Sequence, residues 1–287
     1  MRRYLQFSII WAEQSTRLRA WLRLFRTSNS VVLALLYIAA ARFFGSTGGR
    51  TLVLRAVSWL CVAAFSYSLN DLLDVEIDRR NRPDRPLPNG AISNRAAMAA
   101  TALVGSVASA LSLFSWGSPL NWAVAGLAGA TAYSFFIRPR YATLANALAA
   151  GLVTLVPISA QLHALDASGL ALYGTIFTVI FARELQKDIL DAPGDAIART
   201  VGLLVGPHRR GGRVLYAVLL LASLVLLAIV AATGERRVPF LITAVPMALL
   251  ITALSLFATG IGGARVQVTL TKVVAYLFVP LLFVGSP

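Results

Sequence analysis

Nine long apolar segments constrain this chain more than any other feature. They lie at approximately 27–44, 52–70, 95–115, 120–137, 142–162, 169–187, 213–233, 238–258 and 266–284. A membrane-spanning helix takes roughly 20 apolar residues, so the predicted fold class is all-α, a polytopic membrane protein of nine transmembrane helices. Composition agrees. Of 287 residues 57% are hydrophobic and 13% charged, against about a quarter charged in a soluble domain. That excludes a disordered chain, a collagen-like chain and a small disulfide scaffold. Cys61 is the single cysteine and lies in an apolar run, which leaves neither a disulfide framework nor a CxxC metal site.

The charge pattern orients the spans. The net charge of +14 would point to nucleic acid in a soluble protein. In a polytopic chain it follows from basic loops facing anionic headgroups, so membrane lipids, and no nucleic acid, are the expected partners. Twenty of the 26 Lys and Arg fall on the side of the N-terminus and of the even-numbered span ends, and five on the other. The positive-inside rule then puts the N-terminus in the cytoplasm; nine spans put the C-terminus outside the cell inner or plasma membrane. Residues 1–26 read as an amphipathic interfacial helix. Phe7, Trp11, Leu18, Trp21, Leu22 and Phe25 recur at helical spacing, with Arg17, Arg19, Arg23 and Arg26 available to headgroups. Residues 27–287 form the transmembrane domain.

Acid is concentrated in two short windows. Nine of the 12 carboxylates lie in residues 71–84 and 184–195. Asp71, Asp74 and Asp78, and again Asp188, Asp191 and Asp195, stand at i, i+3, i+7, which places three carboxylates on one helix face. Like charges so placed repel, so something cationic should sit between them. Spans two and six both run from outside to inside, and each cluster begins where its span ends. Two triplets at one depth would make an oxygen-rich site for a hard cation such as Mg²⁺, which usually shares its shell with substrate phosphate oxygens.

A diphosphate also needs cations from the protein. Arg138 and Arg140 follow span four, with Tyr133 one turn earlier, and Arg26 opens span one from the same side. Arg183 and Lys187 flank the second cluster. Between the first cluster and span three runs RRNRPDRPLPNGAIS, where Pro83, Pro86, Pro88 and Gly90 break any helix. The segment reads either as a lid over the site or as a stiff connector.

The run Asn70-Asp71-Leu72-Leu73-Asp74-Val75-Glu76-Ile77-Asp78 resembles the NDxxDxxxD motif of the UbiA superfamily of intramembrane prenyltransferases. Lys187-Asp188-Ile189-Leu190-Asp191-Ala192-Pro193-Gly194-Asp195 is similar to its second aspartate-rich motif. DVEIDRRNRPDRPLPNGAIS resembles the digeranylgeranylglyceryl phosphate synthase and chlorophyll synthase branches most. The resemblance implies nine helices around a central cavity open laterally to lipid. It also implies two Mg²⁺ ions held by Asn70, Asp74, Asp191 and Asp195, with Asp71, Asp78, Asp188 and Arg138 in catalytic support. Arg26, Tyr133, Arg138, Arg140, Arg183 and Lys187 are the expected diphosphate contacts. Tyr133 and the basic residues after it stand where the superfamily has a Tyr and a basic pair, with Arg in place of the usual Lys.

The expected reaction is ionisation of an isoprenyl diphosphate and capture of the allylic cation by a small or lipidic acceptor. Phe65, Tyr67, Phe135, Phe136, Phe177 and Phe181 are candidates to line the tail pocket and stabilise the cation; taken singly, each also reads as an ordinary packing or lipid-facing aromatic. No general base stands out, since His163 is on the outer side and His208 in a loop. A membrane terpene cyclase remains open as an alternative. A cation-coupled transporter would carry its carboxylates nearer the bilayer midplane. A phosphatidyl-alcohol transferase would show an Asp-Gly signature that both clusters lack.

Overall fold

The structure is a computed structural model describing residues 16–44, 48–116, 121–161, 166–195, 202–205, 209–233, 262–270 and 273, with the side chains of 193–195, 231 and 233 outside that set. The spans expected at 238–258 and over most of 266–284 therefore lie outside the described residues, as do residues 1–15, His163 and His208. Every regular element among the described residues is helical. The order is α1 (Thr16–Leu24), α2 (Thr27–Phe43), α3 (Gly49–Leu73), α4 (Val75–Asn81), α5 (Asn94–Trp116), α6 (Trp122–Ala132) with a π-helical extension (Tyr133–Ile137), α7 (Ala142–Ile158), α8 (Ala167–Asp195), α9 (Arg209–Thr233) and α10 (262–270).

By length and composition α3, α5 and α9 can each cross a bilayer, and α1 with α2, bent by 50°, makes a fourth such unit. Helices α6, with its extension, and α7 are shorter apolar helices. Helix α8 begins in the sixth apolar segment and continues through the acidic motif, past Pro193, to Asp195. The second motif is thus wholly helical.

Helix α3 is the hub, packing on α2, α5 and α6, while α8 packs on α7 and α9. Polar groups inside lipid need internal partners, and the helices bind one another through them. The Ser58 hydroxyl donates to the Ala108 carbonyl at 3.0 Å, Thr101 to Ser68 at 2.9 Å, and the Trp59 indole to Ser159 at 2.9 Å. Buried Arg55 donates to the Ser115 carbonyl at 3.0 Å and stacks 4.8 Å from the Trp116 ring centroid, closing the C-terminal end of α5.

Small residues set the helix spacing, as is usual where lipid supplies no hydrophobic drive. A Cβ at Gly126 of α6 would lie 2.9 Å from the Trp59 ring and 3.0 Å from Val62. Trp59 is held by its bond to Ser159, so the ring has nowhere to turn. Gly126→Val should therefore cost about 1–3 kcal/mol through overpacking, read as a lower melting midpoint in detergent. An unchanged midpoint would show that α3 and α6 do not pack as described.

Within the segment expected to form an interfacial helix, α1 packs one face on protein. Ala20 and Leu24 are buried, in one cluster with Val75, Leu87, Ile92 and Ala97. That face sits on the loop following α4, while Leu18 and Leu22 on other faces are exposed. The loop is ordered: the amides of Asn89, Gly90 and Ile92 donate to the carbonyls of Arg85, Leu87 and Pro86, each at 3.1 Å. Gly90 takes φ 77°, a backbone geometry that suits glycine.

Candidate active site at one end of the bundle

Five elements deliver polar side chains to one end of the bundle: the start of α2, the end of α3 with α4, the π turn after α6, the start of α7 and the end of α8. The first acidic motif straddles a break. Asp71 lies in the last turn of α3, Asp74 sits at the junction with φ −97° and ψ 11°, and Asp78 lies in α4. The Asp74 and Asp78 amides still donate to the carbonyls of Asn70 and Asp74 at 3.0 and 2.8 Å, so the three carboxylates remain on one side. All three are buried, as is Asp191.

Arginines interleave the carboxylates. Arg26 pairs with Asp71, and Arg138 pairs with Asp74 while donating to Asn70 Oδ1 at 2.7 Å. Asn70 in turn donates to Asp74 at 2.9 Å. Arg85 pairs with Asp78 and reaches Asp71 at 3.0 Å. Arg82 pairs with Asp191 and lies 4.0 Å from Asp78. The Asn81 amide also donates to the Asp191 carbonyl at 2.8 Å. Residues 81 and 82 thereby connect the two motifs, 110 and 109 positions apart in sequence. Burial pushes the Asp78 carboxyl above its usual range, against the pull of the Arg85 guanidinium.

Arg26 reaches Asp71 from an unusual backbone. It adopts φ 42° and ψ 51° at the corner between α1 and α2, a left-handed conformation that costs a non-glycine residue about 1–3 kcal/mol. The Ser30 hydroxyl donating to the Phe25 carbonyl at 2.9 Å braces the corner. The guanidinium lies 4.9 Å over the Tyr67 ring.

The other residues expected from the sequence are placed as follows. Arg140 does not join the cluster: it is exposed and donates to the Phe136 carbonyl at 3.1 Å. Phe135 and Phe136, candidates for the tail pocket in the sequence, are exposed at 47% and 61%. Arg183 and Lys187 pair first with Glu184, the latter at 3.0 Å, and Lys187 stands 3.9 Å from Asp191. Tyr133 opens the π turn and is half-buried. The side chain of Asp195 lies outside the described residues. Phe181 is packed between α8 and α9, with Phe177 beside it.

Arg82, Arg85, Asn81 and Asn146 were not singled out by sequence. The available signal was the i, i+4 spacing of Asp78 and Arg82, hidden in a loop whose arginines topology already explained.

Among the described residues, no three Asp, Glu, His or Cys side chains are grouped to grip one metal ion; guanidinium groups stand between them. The donor set still fits a hard cation. The motif side chains that meet here, Asn70, Asp71, Asp74, Asp78, Asp188 and Asp191, all offer oxygen.

An all-helical integral membrane protein with two aspartate motifs and a guanidinium array at one end of its bundle is the class these features define. Residues 30–284 match the UbiA prenyltransferase family. The chain belongs to that family and is a prenyltransferase. It is 36% identical over 203 residues to the digeranylgeranylglyceryl phosphate synthase of Methanoculleus marisnigri, covering 67% of this chain and 70% of that one. It is 34% identical over 199 residues to the protein of the same name from Halobacterium salinarum, covering 67% and 71%. A UbiA homologue from Archaeoglobus fulgidus, solved with DMAPP and Mg²⁺, shares the fold at a TM-score of 0.66 and 22% identity, over 92% of this chain and 98% of that one.

Proposed function

We propose that this protein is a Mg²⁺-dependent transferase that ionises an isoprenyl diphosphate and passes the prenyl group to a lipidic glycerol-phosphate acceptor, releasing diphosphate. The observation that carries the reading is the meeting of both aspartate motifs around Arg82 at one end of the bundle. The acceptor class follows the digeranylgeranylglyceryl phosphate synthases to which the chain is similar.

In this reading Asn70, Asp74, Asp191 and Asp195 would hold two Mg²⁺ ions, which would supply positive charge against that growing on the departing diphosphate. Arg26, Arg82, Arg85 and Arg138 exchange carboxylate partners for phosphate oxygens, and Tyr133, Arg183 and Lys187 complete the polar wall. The allylic carbon–oxygen bond breaks with its electron pair on the diphosphate, and the acceptor hydroxyl forms the new carbon–oxygen bond as its proton passes to the released diphosphate. The apolar bundle beside the site excludes water from the cation. The nine-span topology, with residues 1–26 interfacial, residues 27–287 as one domain and the site at the cytoplasmic face, belongs to the same proposal.

The test is diphosphate release by purified protein in detergent with Mg²⁺ and a series of prenyl diphosphates, with and without a glycerol-phosphate lipid. Release that requires the acceptor and yields a prenyl ether supports the proposal. Release without acceptor, giving a hydrocarbon, would replace it with a cyclase.

A further inference from the structure

Asp188 is held differently from Asp191, the other described carboxylate of its motif. Asn146, buried near the start of α7, donates its amide to Asp188 Oδ2 at 2.8 Å. From another side the backbone of Gly202 closes on the same residue: a Cβ at position 202 would come within 2.5 Å of Asp188 Cγ. The 202–205 turn that brings Gly202 there is itself fixed. The Val205 amide donates to the Gly202 carbonyl at 3.0 Å, and Leu203 and Leu204 pack on the cluster formed by Ala150, Leu185, Tyr216 and their neighbours.

We infer that Asn146 and Gly202 form a brace on Asp188, and that Asn146 is a positioning residue for the second aspartate motif. The inference rests on the metal-dependent reading above. Asp188 lies one helical turn before Asp191, so holding it fixes the rotation of α8 at the point where Asp191 faces Arg82. A neutral amide suits this task. It supplies a donor to the carboxylate without adding a cation that would compete with a metal beside it, and its burial keeps water from substituting. Residues that orient a metal ligand without touching the metal typically contribute 10–100-fold to metal affinity.

The test is direct titration with Mn²⁺, followed by electron paramagnetic resonance of the free ion, on full-length protein in detergent. The variants are Asn146→Ala, Asn146→Asp, Gly202→Ala and, as reference, Asp191→Ala. Asn146→Ala is expected to weaken Mn²⁺ binding about tenfold or more. Asn146→Asp should weaken it further, because a second carboxylate then faces Asp188. Raising Mg²⁺ should restore the Asn146→Ala rate, a rescue that a general packing defect would not show. Gly202→Ala provides an independent route to the same loss should the Asn146 variants fold poorly. Wild-type Mn²⁺ affinity in both Asn146→Ala and Gly202→Ala, with loss in Asp191→Ala, overturns the brace alone. Wild-type affinity in Asp191→Ala overturns the metal reading and the brace with it.

Discussion

Asp191→Ala is expected to lower diphosphate release about 10²–10³-fold, the range for removing one pre-organised electrostatic contact at a reacting centre, or about 3–4 kcal/mol of barrier. Asp191 is buried, pairs with Arg82 and stands 3.9 Å from Lys187, so its loss opens the bridge between the motifs as well as removing a ligand. Arg82 keeps 31% side-chain exposure and can hydrate once unpaired, so membrane insertion and helix content should not change. Circular dichroism and detergent gel filtration verify that, and release assays at saturating substrate read the effect. An active Asp191→Ala protein would remove the second motif from the chemistry.

Reversing the charge at Arg82 should be comparably severe and should fall mainly on substrate binding. In Arg82→Glu a new carboxylate would face Asp191 and Asp78 where a guanidinium now bridges them. We expect kcat/KM to fall about 10²–10³-fold, with the rise in KM for the prenyl diphosphate exceeding the fall in kcat. Arg82→Lys should be intermediate, since a point charge on a flexible stem cannot span two acceptors as a planar fork does. If Arg82→Glu keeps a near-normal KM, the loop after α4 is a connector and takes no part in diphosphate binding.

How much of this was legible in sequence depended on background. Carboxylates are scarce in the chain, so two windows with the same i, i+3, i+7 spacing stood out, and the structure brings them together. Arginines in a loop at the end of an apolar segment are what the positive-inside rule leads one to expect anyway, so beyond the i, i+4 spacing of Asp78 and Arg82 nothing marked the pairing of Arg82 and Arg85 with Asp191, Asp71 and Asp78. Asn146 was concealed for another reason. A single polar residue in an apolar helix is common, and its partner lies 42 positions away. Arg140, Phe135 and Phe136 could be offered only as candidates, since a 3.6-residue period does not anticipate the π turn beside them. The bend at Arg26 was equally silent, since nothing in the side chain announces a left-handed backbone.

The π turn after α6 sets a rotational phase. The Arg138 amide bonds to the carbonyl of Tyr133, five residues back, at 2.9 Å, so the chain reaches its polar terminus one residue later than an unbroken α-helix would. One residue corresponds to about 100° around the axis. The same sequence in uniform α-helix would point Arg138 at a different neighbour and turn the Phe135–Phe136 pair from its outward face. In this family member, a single residue of slack at the end of α6 decides which side chain meets Asn70 and Asp74 and which ones stay exposed.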